Sequence, residues 1–395
     1  MSVSQTTTLR SRPAFAYMTG EFLSQTGAYV SATAQSWIVL EGTHQPLALG
    51  IFMAARYGPA ALLAPMIGKY VDSSDPRRLV LIANYAQAIL TVSLVALAFT
   101  PQSLMFVPFV IVGSASQVFA MLEHSGRMAY LVTIVPDEAR ARFTGATSSA
   151  GTLGRIVGPA IASVILILGP SGLCFAVDAL SFVLAALLLP RPRYPLHTPQ
   201  RSSLRDGFRI IWSLPPIRDL LVIFSLVSLV SFNVATLIPL LVRSDHFNDP
   251  RVLAAFNIAF GIGSFAGGAV RAWLRTNPAT SAFAGLLLFG STFVAIGLTQ
   301  SLVLVLAALF ASGFGRVMFT ASSEAVLAVG VSHERRGLIG SLYALAFTGT
   351  TPIGALLVTS LSEGAGTSST MVVCGLAAIA GGGVYAVSLA AHRTR

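Results

Sequence analysis

The amino-acid sequence predicts an all-α integral membrane protein with twelve transmembrane helices in two six-helix bundles. Three observations predict this class: the composition is strongly apolar, stretches long enough to cross a bilayer recur along the chain, and cations alternate from one connecting loop to the next. Of the 395 residues, 54% are hydrophobic and only 10% are charged. Soluble globular domains are about 25% charged, so the composition favours a membrane protein.

Apolar stretches of about 18 residues or more are long enough to cross a bilayer as helices. In the first half of the chain they lie at 15–40, 47–70, 79–99, 104–122, 143–168 and 173–189. In the second half they lie at 220–242, 252–274, 281–298, 302–318, 338–361 and 371–391. Together these spans cover most of the sequence.

The cations predict which side of the membrane each loop occupies. Arginine or lysine residues precede the first span and follow every even-numbered span, whereas the loops at 100–103, 169–172 and 299–301 carry none. Only the loop with Arg243 and Arg251 departs from this pattern, and two aspartates balance it. Because basic loops stay in the cytoplasm, we expect a multi-pass protein of the cytoplasmic membrane with both termini inside. The net charge of +10 then reflects topology, with membrane lipids rather than nucleic acid as partner.

A Pro- and Arg-rich linker predicts two domains. The expected divisions are an N-terminal bundle at 1–190, a linker at 191–216 and a C-terminal bundle at 217–395. Apolar residues from Leu204 to Trp212 recur at helical spacing, which predicts an amphipathic helix on the membrane surface.

A weak repeat relates the two halves. The segment VPDEARARFTG from Val135 is similar to VSHERRGLIG from Val331, and the copies follow the fourth and tenth spans. An even number of spans separates them, so the repeat is parallel. A substrate site is then expected between the two bundles, near the midplane.

The segment GKYVDSSDPRR, between the second and third spans, resembles the loop signature of the major facilitator superfamily. That signature has a glycine, an aspartate four residues later and a final basic pair. In this chain those residues are Gly68, Asp72, Arg77 and Arg78. The resemblance extends through GRIVGP and DALSF and is closest to the branch with the enterobactin exporter and macrolide-efflux-type proteins. It implies the major facilitator fold, with two pseudo-symmetric bundles that rock about a central site.

The same resemblance suggests a gate. Glu123 and Arg127 lie four residues apart at the end of the fourth span and are placed for an intrahelical ion pair. In a second interpretation Arg127 contacts Asp72. Asp72 then also faces the N-terminal end of the eleventh helix, and this contact locks the two halves together on the cytoplasmic side. Gly68 is expected to let another helix come close.

Charges inside the spans are the candidate transport residues, because each costs at least about 2.5 to 3.5 kcal/mol in the bilayer core. Glu21 is the first candidate for carrying protons and Asp178 is the second. A carboxylate whose contact with a cation is made and broken can take up and release a proton. For Asp178, a fixed ion pair with Arg155 is an equally good interpretation.

Other polar residues within the spans are candidates for the cavity. Gln25 and Gln35 continue the stripe of Glu21 along the first span, which suits a water-filled cavity. Arg56, Arg155 and Arg316 either contact an anionic or carbonyl-rich substrate or neutralise the acids.

The fifth span contains the element GRIVGP. Its Gly154, Gly158 and Pro159 permit close helix contact and a kink.

These residues predict a monomeric, non-enzymatic exporter of amphipathic small molecules, driven by proton antiport. No phosphate-binding loop, zinc motif or nucleophile elbow occurs in the sequence, so we expect no cofactor or metal. Cys174 and Cys374 are expected to be buried apolar residues. A dedicated siderophore or secondary-metabolite exporter is the alternative within this class. A polytopic membrane enzyme and a transporter-like sensor are the alternatives from other classes.

Overall fold

The computed structural model describes residues 11–98, 106–131, 133–136, 139–194, 214–243, 249–274, 276–330 and 349–393, with single residues at 212, 247, 343 and 346. Over these residues the chain is helical and has no strand. The predicted linker helix lies outside the described residues except for Trp212, and so does the second copy of the repeat.

Six helices form the first half of the chain. They are α1 (Arg12–Thr43), α2 (Pro46–Asp72), α3 (Pro76–Leu97), α4 (Phe106–Leu131), α5 (Arg140–Leu168) and α6 (Gly172–Leu187). Each coincides with one predicted span. Helix α4 continues beyond the predicted end at 122, because Glu123 and Arg127 are buried and paired and therefore do not end the helix.

Seven helices form the described part of the second half. They are α7 (Pro215–Ser231), α8 (Val234–Val242), α9 (Pro250–Trp273), α10 (Pro278–Leu298), α11 (Leu302–Gly330), α12 (Thr351–Ala365) and α13 (Thr367–Arg393). The seventh predicted span is therefore two helices, α7 and α8. The Asn233 amide donates to the carbonyls of Leu229 at 3.0 Å and Ser228 at 3.4 Å, which satisfies backbone groups freed by the break.

Nine helical segments in the described ranges are long and apolar enough to cross a membrane. Three of the twelve predicted spans are not among them. Helix α1 carries many polar side chains, whereas α6 and α12 have 16 and 15 residues. The first part of the eleventh predicted span lies outside the described residues.

Contacts between residues divide the chain into two units. The first falls within Met1–Thr43 and Ala55–Pro199, and the second within His44–Ala54 and Gln200–Arg395. The start of α2 thus belongs to the second unit, where the Leu47 amide donates to Glu363 Oε2 at 3.0 Å. The predicted division places 44–54 in the N-terminal bundle and remains a prediction based on sequence.

In the first unit, α1 packs against α5 and α6, and α3 packs against α4 and α6. A Cβ atom at Gly154 would lie 2.8 Å from the Phe22 carbonyl oxygen, and one at Gly158 would lie 2.6 Å from Tyr29 Cβ. The two glycines therefore let α5 lie directly against α1. Helix α5 continues through Pro159.

In the second unit, α11 packs against α9 and α10, and α10 packs against α13. Aromatic rings fill part of its core: Phe232 contacts Phe289 with ring centroids 5.2 Å apart, and Phe319 with centroids 5.8 Å apart. The unit therefore has an apolar core of its own.

Candidate functional site

One side of α1 presents buried polar residues. Glu21, Ser24, Ser31 and Gln35 are spaced by three, seven and four residues, which places them along one side of a helix. All four are buried. Because polar groups without partners are expensive inside a membrane, the partners of these four side chains define the site.

The first cluster joins two carboxylates to one guanidinium. Arg127 Nε lies 2.5 Å from Glu123 Oε1 and 3.4 Å from Glu21 Oε2. The exposed fractions of Glu21, Glu123 and Arg127 are 8%, 4% and 2%. With both acids ionised the cluster carries one net negative charge, so a single proton would neutralise it.

Neighbouring side chains hold this cluster in place. The Tyr17 hydroxyl donates to the Arg127 carbonyl oxygen at 3.0 Å, and the Arg127 guanidinium lies 5.6 Å from the centre of the Tyr17 ring. Ser24 Oγ and Asn84 Nδ2 donate to Glu123 Oε1 at 3.5 and 3.3 Å. Within the described part of the chain, the Nη1 and Nη2 atoms of Arg127 are buried and have no hydrogen-bond partner.

The second cluster surrounds Asp178 on α6. Arg56 Nη1 donates to Gln35 Oε1 at 2.7 Å, and Gln35 Nε2 donates to Ser31 Oγ at 3.0 Å. Ser31 and Arg56 lie close enough to Asp178 to act on its carboxylate, and Thr91 Oγ1 donates to that carboxylate at 3.4 Å. Asp178 Oδ1 is buried and has no partner among the described residues.

The structure gives Arg155 a different partner from the one considered above. Its Nε donates to Gln25 Oε1 at 3.3 Å, and Arg56 is the cation that acts on Asp178. Gln25 is half-buried, whereas Gln35 is buried, so the two glutamines do not share one environment.

The remaining intramembrane cation, Arg316, lies in the second unit. Its guanidinium carbon is 5.5 Å from the centre of the Phe232 ring and 5.8 Å from that of Phe260. Aromatic faces attract cations, so these rings position Arg316.

The loop signature has a structural role at the start of α3. Asp75 caps the helix by accepting from the Arg77 amide at 2.9 Å, and Pro76 occupies the first turn. Gly68 is exposed, and a Cβ atom there would meet no described atom within 4 Å. The close approach expected at Gly68 therefore does not occur among the described residues.

The gating interpretation concerns residues that are only partly described. The side chain of Asp72 lies outside the described residues, as does Arg336, so the lock between them remains a prediction. Arg127 itself pairs with Glu123, as its spacing suggested, and with Glu21. Arg78 is exposed, and Arg77 is half-buried.

The sequence did not point to five residues that contact or belong to these clusters: Tyr17, Ser24, Ser31, Asn84 and Thr91. They are polar but uncharged, and the search for candidates followed charge. A scan for polar side chains at helical spacing within the third span would have found Asn84 and Thr91, which lie seven residues apart.

The described residues contain no group of three or more His, Cys, Asp or Glu side chains that could hold a metal ion. Cys174 and Cys374 are free and buried.

The fold and the buried charges together define a multi-pass helical membrane protein of the transporter class. The chain belongs to the Major Facilitator Superfamily, whose family model matches residues 17–281. The predicted family and its all-α fold are thereby confirmed.

Curated relatives include transporters with different substrates in their names. The multidrug efflux pump Tap of Mycobacterium tuberculosis is 24% identical over 96% of this chain and 94% of its own. The staphyloferrin A transporter of Staphylococcus aureus is 24% identical over 57% of this chain, and macrolide efflux protein A of Streptococcus pyogenes is 24% identical over 63%. These last two matches span 58% and 63% of the relatives' lengths.

Solved structures show the same fold. A bacterial homologue of the human lysosomal transporter Spinster superimposes with a TM-score of 0.74 at 14% identity, over 96% of both chains. At this identity the likeness establishes the fold alone.

Proposed function

We propose that this protein exports amphipathic small molecules, drug-like compounds or natural products, across the cytoplasmic membrane by proton antiport with alternating access. The observation that carries the proposal is the buried cluster in which Glu21 and Glu123 share Arg127. Both termini lie in the cytoplasm, and the protein works as a monomer surrounded by membrane lipids.

The cluster supports coupling because its charges are not balanced. Glu21 lies farther from Arg127 than Glu123 does, at 3.4 Å against 2.5 Å. Glu21 is on α1, whereas Glu123 and Arg127 are both on α4, so a movement of α1 relative to α4 breaks the Glu21 contact and keeps the Glu123 contact. A carboxylate left without its cation inside a membrane is neutralised by a proton. Restoring the contact releases that proton, and alternation between the two states couples its passage to transport.

The direction and substrate class of the proposal rest on the relatives. Two of them are named as macrolide and multidrug efflux proteins, which favours export of amphipathic compounds. The staphyloferrin A transporter favours the alternative, a dedicated exporter of siderophores or other secondary metabolites. A polytopic membrane enzyme is disfavoured, because the sequence has no catalytic motif.

A reconstituted system tests the proposal. Purified protein in vesicles with an imposed pH gradient is presented with ethidium, a macrolide and a siderophore, for the wild type and for Glu21→Gln. We expect the wild type to concentrate at least one probe against its gradient. Glu21→Gln should bind that probe but lose its dependence on the pH gradient.

Glu41→Gln is the matched control, since Glu41 lies at the other end of the same helix and is half-buried. This variant should transport like the wild type. Transport of no probe by the wild type, or full pH coupling in Glu21→Gln, would contradict the proposal.

A further inference from the structure

Helix α3 carries a line of buried polar side chains between the two clusters. Asn84, Gln87 and Thr91 are spaced by three and four residues and so share one side of the helix. Their exposed fractions are 0%, 2% and 2%. This side of α3 therefore faces the interior of the first unit. Apolar side chains at these positions would fill that interior without needing hydrogen-bond partners, so packing alone does not explain the three polar ones.

Each end of this line touches a carboxylate. Asn84 Nδ2 donates to Glu123 Oε1 at 3.3 Å, and Thr91 Oγ1 donates to Asp178 Oδ2 at 3.4 Å. Asn84 and Thr91 are seven residues apart on the helix, which corresponds to about 10 Å. Gln87 lies between them and donates to the Ala83 carbonyl oxygen at 3.3 Å, which leaves its amide oxygen available as an acceptor.

Two further buried atoms lie at the ends of the line. Asn84 Oδ1 and Asp178 Oδ1 both lack a hydrogen-bond partner within the described ranges. Buried polar atoms are nearly always satisfied by protein or by water. At these two acceptors, a hydrogen-bonded path can therefore continue from the side chains into bound water.

The charged groups around the line come from five helices. At the first cluster and near it these are Glu21 on α1, Glu123, His124 and Arg127 on α4, and Arg155 on α5. At the other end they are Arg56 on α2 and Asp178 on α6. Acidic groups therefore lie at both ends, with Arg127 and Arg155 near the first cluster and Arg56 near Asp178. No charged side chain interrupts α3 between Asn84 and Thr91.

We propose that Asn84, Gln87 and Thr91 form a proton path inside the first unit, linking Asp178 to the Glu21–Glu123–Arg127 cluster. The inference rests on the proposed proton antiport and adds the route. Under the predicted topology, Asp178 lies toward the outer face, since α6 begins at an outer loop, and Glu21 lies toward the cytoplasm.

The transfer involves only O–H bonds. A proton from the outer side binds the Asp178 carboxylate, and the Thr91 hydroxyl, which donates to Asp178 in the structure, turns toward water on its other side. The O–H bond of the protonated Asp178 then breaks as its proton binds the Thr91 oxygen, and Thr91 gives its own proton to that water. Water oriented by the amides of Gln87 and Asn84 carries the charge onward to the carboxylate of Glu123 or Glu21. One positive charge moves inward, and no other bond changes. Gln87 and Asn84 are positioning residues, because an amide does not itself exchange the proton.

Thr91→Val and Gln87→Met test this path, because they remove polar groups with little change in shape. Thr147→Val is the matched control: Thr147 is equally buried in the same unit, and among the described residues its hydroxyl bonds only to the Phe143 carbonyl of its own helix. Vesicles containing each variant are assayed with ethidium, or with whichever probe of the panel the wild type transports. Three quantities are measured separately: probe binding, the exchange of probe for probe across the membrane without a pH gradient, and proton flux.

We expect both path variants to bind and exchange the probe like the wild type, while proton flux falls by at least about tenfold. Thr91→Ser, which restores the hydroxyl, should recover the flux, and Thr147→Val should keep it. Unchanged proton flux in Thr91→Val and Gln87→Met overturns the path. An equal loss of probe exchange and proton flux also overturns the path, because Thr91 and Gln87 would then have a structural role. Failure of the proposed antiport is seen separately, as absence of proton flux in the wild type.

Discussion

Arg127 is the residue on which the site depends. It is buried, and the same Nε atom faces Glu123 and Glu21 from two different helices. Removing one partner of a buried ion pair is strongly destabilising, because the other charge stays buried without compensation. In this cluster the loss of the cation would leave two carboxylates side by side.

Arg127→Met should therefore lower the free energy of unfolding by about 3 to 5 kcal/mol. Adding Glu123→Gln to this variant removes one of the two uncompensated charges and should recover part of the loss. Thermal unfolding in detergent measures both effects. Arg78→Met is the control, because Arg78 is exposed, and it should change stability by no more than about 0.5 kcal/mol. Equal stability of Arg127→Met and Arg78→Met would show that the cluster is not a compensated ion pair.

At this scale the sequence identified the charges but only some of their partners. Glu21 and Asp178 stood out because each is an acid within an apolar span. The pair of Glu123 and Arg127 followed from helical spacing. The contact of Arg127 with Glu21 spans 106 residues of chain and joins side chains from α1 and α4, which no local pattern encodes.

At the scale of helices, close contacts through small residues set the packing of the first unit. Gly27 on α1 faces α6, where a Cβ atom would lie 2.7 Å from Ser181 Cβ and would also clash with Ser181 Oγ. The contact lies one turn from Asp178, so it fixes the spacing between α1 and the second cluster.

Gly27→Ala should destabilise the protein by about 1 to 3 kcal/mol, because the added methyl group overpacks this contact. Combining it with Ser181→Gly removes the opposing side chain and should restore part of the stability. Gly145→Ala provides the control, since Gly145 is exposed and a Cβ atom there meets no described atom within 4 Å. The stability of all three variants is compared by the midpoint temperature of thermal unfolding. If Gly27→Ala and Gly145→Ala behave alike, the contact does not limit the packing.

Apolar periodicity located the helices well, whereas their ends and breaks needed the structure. Helix α4 extends to Leu131 because its last polar residues are paired inside the unit. The break between α7 and α8 lies in an apolar stretch without glycine or proline at the break itself, and the Asn233 side chain stabilises it. Periodicity shows which segments are apolar and says little about how their backbone groups are satisfied.

At the scale of the whole molecule, the distribution of cations predicts the topology. The two native cysteines are buried, so they give little background in labelling with a membrane-impermeant thiol reagent. Gln300 and Ser73 are both exposed. They lie in loops that are predicted to be on opposite sides of the membrane.

Gln300→Cys should be labelled in intact cells, because its loop carries no cation and is predicted to lie outside. Ser73→Cys should be labelled only after the cells are permeabilised. Labelling is quantified by mass shift in the two conditions. The reverse pattern would contradict the predicted orientation, and with it the assignment of Asp178 to the outer side.

In the proposed mechanism, one proton moves opposite to each exported molecule through the carboxylates around Arg127. The most direct measurement follows the pH inside vesicles, with no pH gradient imposed, while a gradient of the transported probe drives the exchange. For the wild type we expect that probe leaving the vesicles brings protons in and acidifies the lumen. Glu21→Gln combined with Glu123→Gln should abolish this change. Movement of the probe with no change in lumen pH in the wild type would contradict it.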